Sequence, residues 1–214
     1  MKKVNNNSGI DNQEKENFLS KEWVITNGLG GYASSTSLGM NTRKYHGLLV
    51  ASMNPPVERK LMLSSLDEEI SVGQETYYLA THRYPGNIHP RGYRYLENFS
   101  ADPVPSFQYL VKDLTIEKKV FMVYGENTTV ILYTIHNPLD TQVSFRVFPL
   151  ANSRNIHQLT RAHDIGFHQQ SGDNGTILQN DRNTLHLGSN MSYTPKAYWY
   201  YDFEYEIELS RGYP

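Results

Sequence analysis

Apolar residues beyond residue 20 mostly alternate with polar residues, or form short runs that end at Gly, Asn, Asp or Pro. They almost never recur at helical spacing, so the pattern predicts β-strands throughout. The turn signals between the strands are dense enough to indicate a sandwich or a barrel. The predicted strands lie near Trp23–Thr26, Tyr45–Ser52, Arg59–Ser64, Glu68–Val72, Thr76–His82, Phe107–Lys112, Leu114–Tyr124, Thr129–Asn137, Gln142–Leu150, Gly166–Gln170, Thr176–Gln179, Thr184–Gly188 and Tyr198–Leu209.

Two segments stand out from this pattern: one departs from the alternation of apolar and polar residues, and the other shows it most regularly. Residues 84–106 are rich in proline and are expected to form a long ordered loop. In the last predicted strand, apolar residues alternate with Asp202, Glu204, Glu206 and Glu208, which places four carboxylates on one face about 7 Å apart. Like charges in a row repel, so a basic group is expected beside them. Asp202 and Glu204 match the spacing of an inverting glycosidase pair, but they project in parallel, which favours an acidic face over a catalytic pair.

Length and composition narrow the class of protein. The 214 residues suit one domain, which we place at residues 20–214 after a disordered tail at residues 1–19. The tail is polar where a signal peptide would be apolar, so a cytoplasmic protein is expected. A net charge of −2 argues against nucleic acid, and the short apolar runs argue against a membrane span. There is no cysteine, which excludes disulfides and thiolate metal sites.

Aromatic side chains are the unusual part of the composition. They make up 12 % of the chain, with 16 Tyr, 8 Phe and 2 Trp. Tyrosine combines an apolar face with a polar tip, which suits half-buried strands and also suits surfaces that bind sugars.

Two motifs could carry chemistry. Residues 28–33 fit the G-x-G-x-x-A pattern of a dinucleotide-binding turn, but no helix and no acidic residue follow at the required distances, so a tight turn is favoured. Residues 152–168 gather Arg154, His157, Arg161 and further His and Asp residues. Arginines interleaved with histidines disfavour a metal site, which leaves sugar binding, an interdomain contact, or a loop held by its own hydrogen bonds. The chain has no G-x-S-x-G elbow for a hydrolase triad.

One long segment is recognisable. Residues 22–49, EWVITNGLGGYASSTSLGMNTRKYHGLL, resemble the opening signature of bacterial and archaeal glycogen debranching enzymes. Supporting similarity lies in Arg83–Pro105, in Asn152–Asp164 (NSRNIHQLTRAHD) and in Trp199–Tyr213 (WYYDFEYEIELSRGY), so the resemblance spans about residues 20–214.

The resemblance implies a fold and a function. It implies an antiparallel β-sandwich of the supersandwich type, similar to galactose mutarotase and to the N-domain of glucoamylase, placed before an (α/α)6 barrel. The parent enzyme would hydrolyse α-1,6 branch points of glycogen, with the catalytic residues in the barrel and none in this chain. The abrupt end after a strong strand is consistent with such a longer protein. A 4-α-glucanotransferase activity, attached to the N-terminal part of some relatives, is disfavoured because the βα alternation of a TIM barrel is missing.

The expected site faces the barrel and the incoming glucan; the alternative is that its residues only hold the domain together or dock it to the barrel. Aromatic rings would stack on sugar rings while Arg, His and Asn bond hydroxyl groups, and Ala at Trp23 or Tyr45 is expected to weaken glucan use without abolishing folding. No cofactor or metal is expected, and the partners are an α-glucan and the C-terminal catalytic domain. A stand-alone carbohydrate-binding sandwich is the alternative. The residues assigned to the site are Trp23, Asn27, Tyr32, Arg43, Tyr45, His46, Arg154, His157 and Arg161.

Overall fold

Strands dominate the computed structural model, which describes residues 21–161, 164–180 and 183–213. The strands are β1 (Glu22–Thr26), β2 (Tyr32–Thr36), β3 (Gly47–Asn54), β4 (Val57–Val72), β5 (Glu75–Tyr78), β6 (Thr81–Tyr84), β7 (Asn87–Arg91), β8 (Leu96–Ser100), β9 (Ser106–Val111), β10 (Leu114–Met122), β11 (Thr129–His136), β12 (Val143–Asn155), β13 (His168–Gly172), β14 (Gly175–Gln179) and β15 (Thr184–Gly188). A 3-10 helix spans Gly92–Tyr95, and a single-turn helix, α1, spans Glu206–Ser210. The predicted tail at residues 1–19 lies outside the described residues.

The strands form antiparallel sheets. The first sheet has the order β1-β2-β3-β4-β12, with β5 also paired to β4, and the second has the order β11-β10-β9-β8. Strands β13-β14-β15 form a small third sheet, and β6 pairs with β7. This arrangement confirms the predicted all-β antiparallel sandwich.

The hydrophobic core combines residues from the first and second sheets. Trp23 on β1 contacts Phe107 on β9 edge to face, with ring centroids 6.2 Å apart. Buried Ile70 on β4 and Ile116 on β10 belong to the same cluster. A polar contact also crosses the sandwich, because Glu68 on β4 accepts hydrogen bonds from Lys118 and Tyr133 of the second sheet. The two sheets are therefore joined both by apolar packing and by a buried charged group.

Strand β4 is longer than the sequence suggested. The two predicted strands on either side of Ser65 are one strand of 16 residues, which pairs with both β3 and β12. Its partner β12 contains Pro149 and has register shifts after Leu150 and after Ala151. Strand β12 ends the order of the first sheet, so it is an edge strand of that sheet.

Three other segments differ from the prediction. Strand β2 was missed because its YASST sequence is mostly polar, although Ser35 and Thr36 are buried and their hydroxyl groups bond to Asn41 and Met40. The predicted strand at residues 76–82 is divided between β5 and β6. The proline-rich stretch at residues 84–106 is not one loop, since it contains β7, the 3-10 helix and β8.

The predicted strand at residues 198–209 is wrong. The segment runs outside the sheets and ends in α1. Phe203 packs on His82 and Tyr84 of β6, and Glu204 donates its backbone N–H to the carbonyl of Arg83 instead of joining a ladder. Glu208, predicted on the acidic face of this strand, is 1 % exposed. The expected basic neighbours are present: Arg83 lies 3.6 Å from Glu204 and 3.1 Å from Glu206, and Lys44 lies 3.8 Å from Glu208.

Replacing Trp23 by Ala tests the position of this ring in the core. Trp23 is 5 % exposed, and its indole N–H donates to the carbonyl of Thr36. We expect Trp23→Ala to lower the free energy of unfolding by about 3–5 kcal/mol, as other buried aromatic truncations do. Urea denaturation followed by circular dichroism measures the loss, with Val24→Ala on the exposed side of β1 as the control. A loss below about 1 kcal/mol would contradict the core position.

Candidate functional site

Tyr45 and His157 form the centre of the candidate site, although 112 residues separate them in the chain. The Tyr45 hydroxyl lies 3.3 Å from His157 Nδ1, and the two rings meet edge to face with centroids 5.8 Å apart. Tyr32 bonds to the backbone of this pair, because its hydroxyl donates to the carbonyl of Tyr45 at 2.9 Å. Burial raises the pKa of Tyr32, so this hydroxyl keeps its proton at neutral pH. Three predicted site residues therefore come together.

Arg154 brings His157 to Tyr45. Its buried guanidinium donates to the carbonyl of Gln158 at 2.7 Å and to the carbonyl of Lys44 in the loop before β3. These bonds join the turn that carries His157 to the loop that carries Tyr45. Arg154 is thus a positioning residue, and its N–H groups are turned to the protein rather than to a ligand.

A shallow depression of about 250 Å³ lies beside His157. The tip of the β3–β4 hairpin lines one side, and residues 155–157 line the other. Sequence reasoning missed the hairpin residues because no motif marks them. Glu58 has a left-handed φ of 56°, a backbone conformation that is uncommon outside glycine and is often found at functional sites. The lining residues are Pro56, Val57, Glu58, Arg59, Asn155, Ile156 and His157.

The glycine turn supports this hairpin. Gly30 has a φ of +92°, and a Cβ there would lie 2.6 Å from the carbonyl oxygen of Pro56. The Gly30 carbonyl also accepts a hydrogen bond of 2.7 Å from Arg59 Nε. A strand, β2, follows the turn, where a dinucleotide site would need a helix. The predicted tight turn with a close backbone approach is confirmed.

Two predicted site residues are structural. Trp23 lies in the core, so it has no ring face free to stack on a sugar. Asn27 is fully buried, where its Oδ1 accepts from the N–H groups of Leu29 and Gly31. Its Nδ2 donates to Glu126 and Asn127. All four hydrogen-bonding positions of the Asn27 amide are thus used inside the protein.

Arg43 and His46 form a second group with Glu22. Arg43 Nε lies 2.6 Å from Glu22 Oε1, and His46 Nε2 lies 3.5 Å from the same oxygen. His46 is buried, and its Nδ1 accepts from the N–H of Thr42 at 3.1 Å. Burial lowers the pKa of His46 to about 4, against the opposing effect of Glu22. At neutral pH the ring is therefore uncharged and holds the loop in shape.

Arg161 stands apart from both groups. Its backbone N–H donates to Asp164 at 2.6 Å in an exposed turn. Among the described residues, no hydrogen bond joins Arg161 to another predicted site residue. His163, in the same predicted segment, lies outside the described residues.

The C-terminal segment (residues 198–213) contacts the loop that carries Tyr45. Ile207 of α1 donates its N–H to the carbonyl of Thr42 at 3.0 Å, and Glu208 accepts from the N–H of Lys44 at 3.3 Å. The Lys44 ammonium lies 4.4 Å from the centroid of the Tyr213 ring and 5.4 Å from that of Tyr45. The TRKYH loop (residues 42–46) thus carries Tyr45 of the candidate site and also contacts the C-terminal segment.

Chemically, the depression combines hydrogen-bonding groups with an apolar side chain. His157, Glu58 and Arg59 line it and can donate to or accept from hydroxyl groups, and Ile156 supplies an apolar surface. Tyr45 adjoins the depression through its contact with His157. Among residues 21–161, 164–180 and 183–213, no three His, Asp or Glu side chains lie close enough to hold a metal ion. No helix in the same ranges is long and apolar enough to cross a membrane.

Comparison with known protein families finds one described as "Glycogen debranching enzyme N terminal", whose model matches residues 21–214. The matched range contains every residue that the structure describes. No curated protein and no solved structure matches the chain.

Glu208 is expected to fasten α1 to the TRKYH loop. Glu208→Gln removes the charge that faces buried Lys44, and breaking a buried pair in this way costs about 3 kcal/mol or more. We expect amide hydrogen exchange in residues 206–213 to accelerate about a hundredfold. Glu206→Gln is the matched control, because its partner Arg83 and Glu206 itself are partly exposed and such pairs contribute less than about 1 kcal/mol. Equal exchange in the two variants would contradict this role.

His46 is expected to make stability fall in mild acid. Its folded pKa of about 4 lies below the usual 6.5, so the unfolded chain takes up a proton that the folded chain refuses. Stability is therefore complete above pH 6.5 and is lost as the pH falls toward 4, by about 2 kcal/mol at pH 5. His46→Asn keeps an acceptor for Thr42 and should flatten this dependence in urea titrations at pH 7 and pH 5. The same pH slope in both proteins would rule out His46 as its source.

Proposed function

Since the chain belongs to the family of glycogen debranching enzyme N-terminal domains, we propose that it is a non-catalytic domain that guides an α-glucan and docks a catalytic domain. The enzyme as a whole would hydrolyse α-1,6 branch points of glycogen and branched oligosaccharides in the cytoplasm. The observation that carries the proposal is the Tyr45–His157 pair beside the depression. The loop that carries Tyr45 also contacts the C-terminal segment.

The carboxylates support a role without catalysis. Glycoside hydrolysis needs two carboxyl groups on opposite sides of the scissile bond. Glu58 is the acidic residue among those that line the depression. Asp202 and Glu204 do not lie on a strand, and Glu204 pairs with Arg83, which argues against the glycosidase pair considered from the sequence.

The chemistry of the depression supports a neutral sugar as its ligand. A pyranose presents an apolar face and a rim of hydroxyl groups. Tyr45 offers an aromatic ring, His157 is exposed, and Arg59 and Glu58 supply a donor and an acceptor at the hairpin tip. Because Arg154 and Gly30 fix the two walls, these groups are held in place before a ligand arrives.

The position of Tyr213 supports docking. The Lys44 ammonium lies between the rings of Tyr213 and Tyr45, at 4.4 and 5.4 Å from their centroids. A catalytic domain docked on this side of the loop would lie next to Tyr45. A glucan held by Tyr45 and His157 would then lie at the boundary between the two domains.

Tyr45→Ala tests the sugar contact. The 214-residue chain should be retarded in gels that contain glycogen and should release no reducing sugar. Losing the ring should weaken retardation about fivefold or more, because one aromatic contact is worth about 1 kcal/mol. Folding should persist, since Tyr32 bonds to the backbone of Tyr45 and not to its ring.

Two matched variants complete the experiment. Tyr45→Phe keeps the ring and removes the hydroxyl that meets His157, so it separates stacking from hydrogen bonding. Phe121→Ala removes a partly exposed ring from the second sheet and should leave retardation unchanged. Retardation of Tyr45→Ala equal to that of the unaltered chain would exclude the sugar contact. Release of reducing sugar would contradict the non-catalytic role.

A further inference from the structure

A second group of aromatic and charged residues lies on the first sheet, on the face turned away from the core. Glu69 on β4 is opposite Arg146 on β12 and also opposite Tyr78 on β5. Asp67 on β4 is opposite Phe148 on β12. Residues directly opposite one another in a sheet share a face, so these five side chains form two adjacent rows about 7 Å apart.

The aromatic rings in these rows are exposed to solvent, whereas the carboxylates are less exposed. Tyr78 is 48 % exposed and Phe148 is 40 % exposed. Glu69 is 8 % exposed and accepts a hydrogen bond from the Arg146 guanidinium. Asp67 Oδ1 lies 2.7 Å from His82 Nε2. The arrangement places hydrogen-bonding groups between two exposed rings.

Tyr200 adds a third exposed ring. Its ring is parallel to that of Phe203 within 9°, with centroids 6.4 Å apart, and it is 48 % exposed. Phe203 packs in turn on His82 and Tyr84, with centroid distances of 4.8 and 5.2 Å. Burial and the nearby Asp67 and Glu69 carboxylates raise the pKa of Tyr200, which is consistent with a place beside the two rows. The C-terminal segment therefore supplies one side of the patch.

The polar groups of this patch retain free hydrogen-bonding positions. Within the described chain, Asp67 Oδ2 and Glu69 Oε2 accept no hydrogen bond, and only one nitrogen of the Arg146 guanidinium donates to protein. Arg146 balances the charge of Glu69, and His82 bonds to Asp67, so at most one negative charge is left with which to attract an ion. The exposed rings, acceptors and donors of the patch suit a neutral ligand that is rich in hydroxyl groups.

We propose that this outer-face patch, made by Asp67, Glu69, Tyr78, Arg146, Phe148 and Tyr200, is a second α-glucan binding site. The proposal takes the ligand class from the proposed function and adds a place for it that the Tyr45 site does not cover. Sugar rings would lie on Tyr78, Phe148 and Tyr200, and their hydroxyl groups would donate to Asp67 and Glu69 and accept from Arg146.

The size of the patch favours a sugar over a protein partner. Two rows across three strands cover on the order of 200 Å², whereas a stable protein interface buries about 800 Å² on each partner. A few sugar rings fit the smaller area. The paired charges also lack the single-sign field that steers proteins together.

The two sites lie along the same strand. Arg59, in the wall of the depression, and Asp67 are eight residues apart on β4, which is about 26 Å of extended strand. A branched polymer can occupy both places at once, whereas a short oligosaccharide occupies one. The affinity for glycogen should therefore exceed the affinity expected from two sites that bind independently.

Tryptophan fluorescence provides a local probe of the outer-face patch. The chain has two tryptophans: Trp23 is 5 % exposed in the core, and Trp199, next to Tyr200, is 50 % exposed. Titration of the chain with maltoheptaose should change the emission of Trp199 and protect it from iodide quenching. Trp199→Phe should abolish the response, since only Trp23 then remains.

Variants connect the response to the patch. The double variant Tyr78→Ala/Tyr200→Ala should weaken both the fluorescence response and the retardation in glycogen gels at least fivefold. Glu69→Gln should weaken them by a smaller factor, and Phe121→Ala on the other sheet should change neither. Circular dichroism checks the fold of each variant. If the double variant does not fold, the Trp199 response of the unaltered chain still decides the question.

The outcomes separate this proposal from the proposed function. A Trp199 response that survives Tyr45→Ala supports a second site. Retardation that depends on Tyr45, without any Trp199 response, overturns the second site and leaves the proposed function standing. Binding that depends on Tyr78 and Tyr200 and not on Tyr45 would keep the second site and remove the first. Self-association that the double variant abolishes, with sugar binding unchanged, would identify a protein interface and overturn the proposal.

Discussion

A buried cation held by carbonyl groups fixes the candidate site. Among the described residues, Arg154 has no carboxylate partner, and its guanidinium donates instead to Lys44, Asn155, Ile156 and Gln158. Burying a charged group without hydrogen bonds costs several kcal/mol, so this cation is stable in the interior only when the loop and the turn are both in place. The bonds that satisfy Arg154 are therefore the same bonds that bring Tyr45 and His157 together. The geometry of the site follows from a requirement of folding.

Both proposed sugar sites contain residues of β4, so both depend on how β4 is aligned with its neighbouring strands. Glu68 faces the core, where Lys118 and Tyr133 bond to it, and Glu69 faces outward, where Arg146 bonds to it. Successive residues of a strand point to opposite faces, so a slip of one residue would exchange the two carboxylates. The buried contact of Glu68 with the second sheet disfavours that slip. The charged group inside the sandwich thereby fixes which polar groups the outer face presents.

The sequence could predict the fold class, because alternation survives wherever one face of a strand packs on the core, as in β10 and β11. The sequence pattern missed β2, because the buried residues of this strand carry hydroxyl groups. It also predicted a strand at residues 198–209, because alternation alone does not distinguish a strand paired in a sheet from a segment that packs outside the sheets. The family resemblance over residues 22–49 and the Arg/His segment pointed to Tyr45 and His157. Trp23 and Asn27 lie in the first of these segments but serve the core and a turn. Glu58 and Arg59 join the site through a hairpin contact that no local pattern reports.

The edge strand of the first sheet affects how the protein behaves when many copies of it lie close together. A long edge strand with free backbone groups is a template on which another chain can add a strand, and a polymer that gathers many copies would promote such growth. Strand β12 is 13 residues long, but Pro149 lacks an N–H to donate, and the shifts after Leu150 and Ala151 interrupt the regular spacing of its edge. At the β12 edge, these irregularities hinder the addition of a strand from a second copy of the protein.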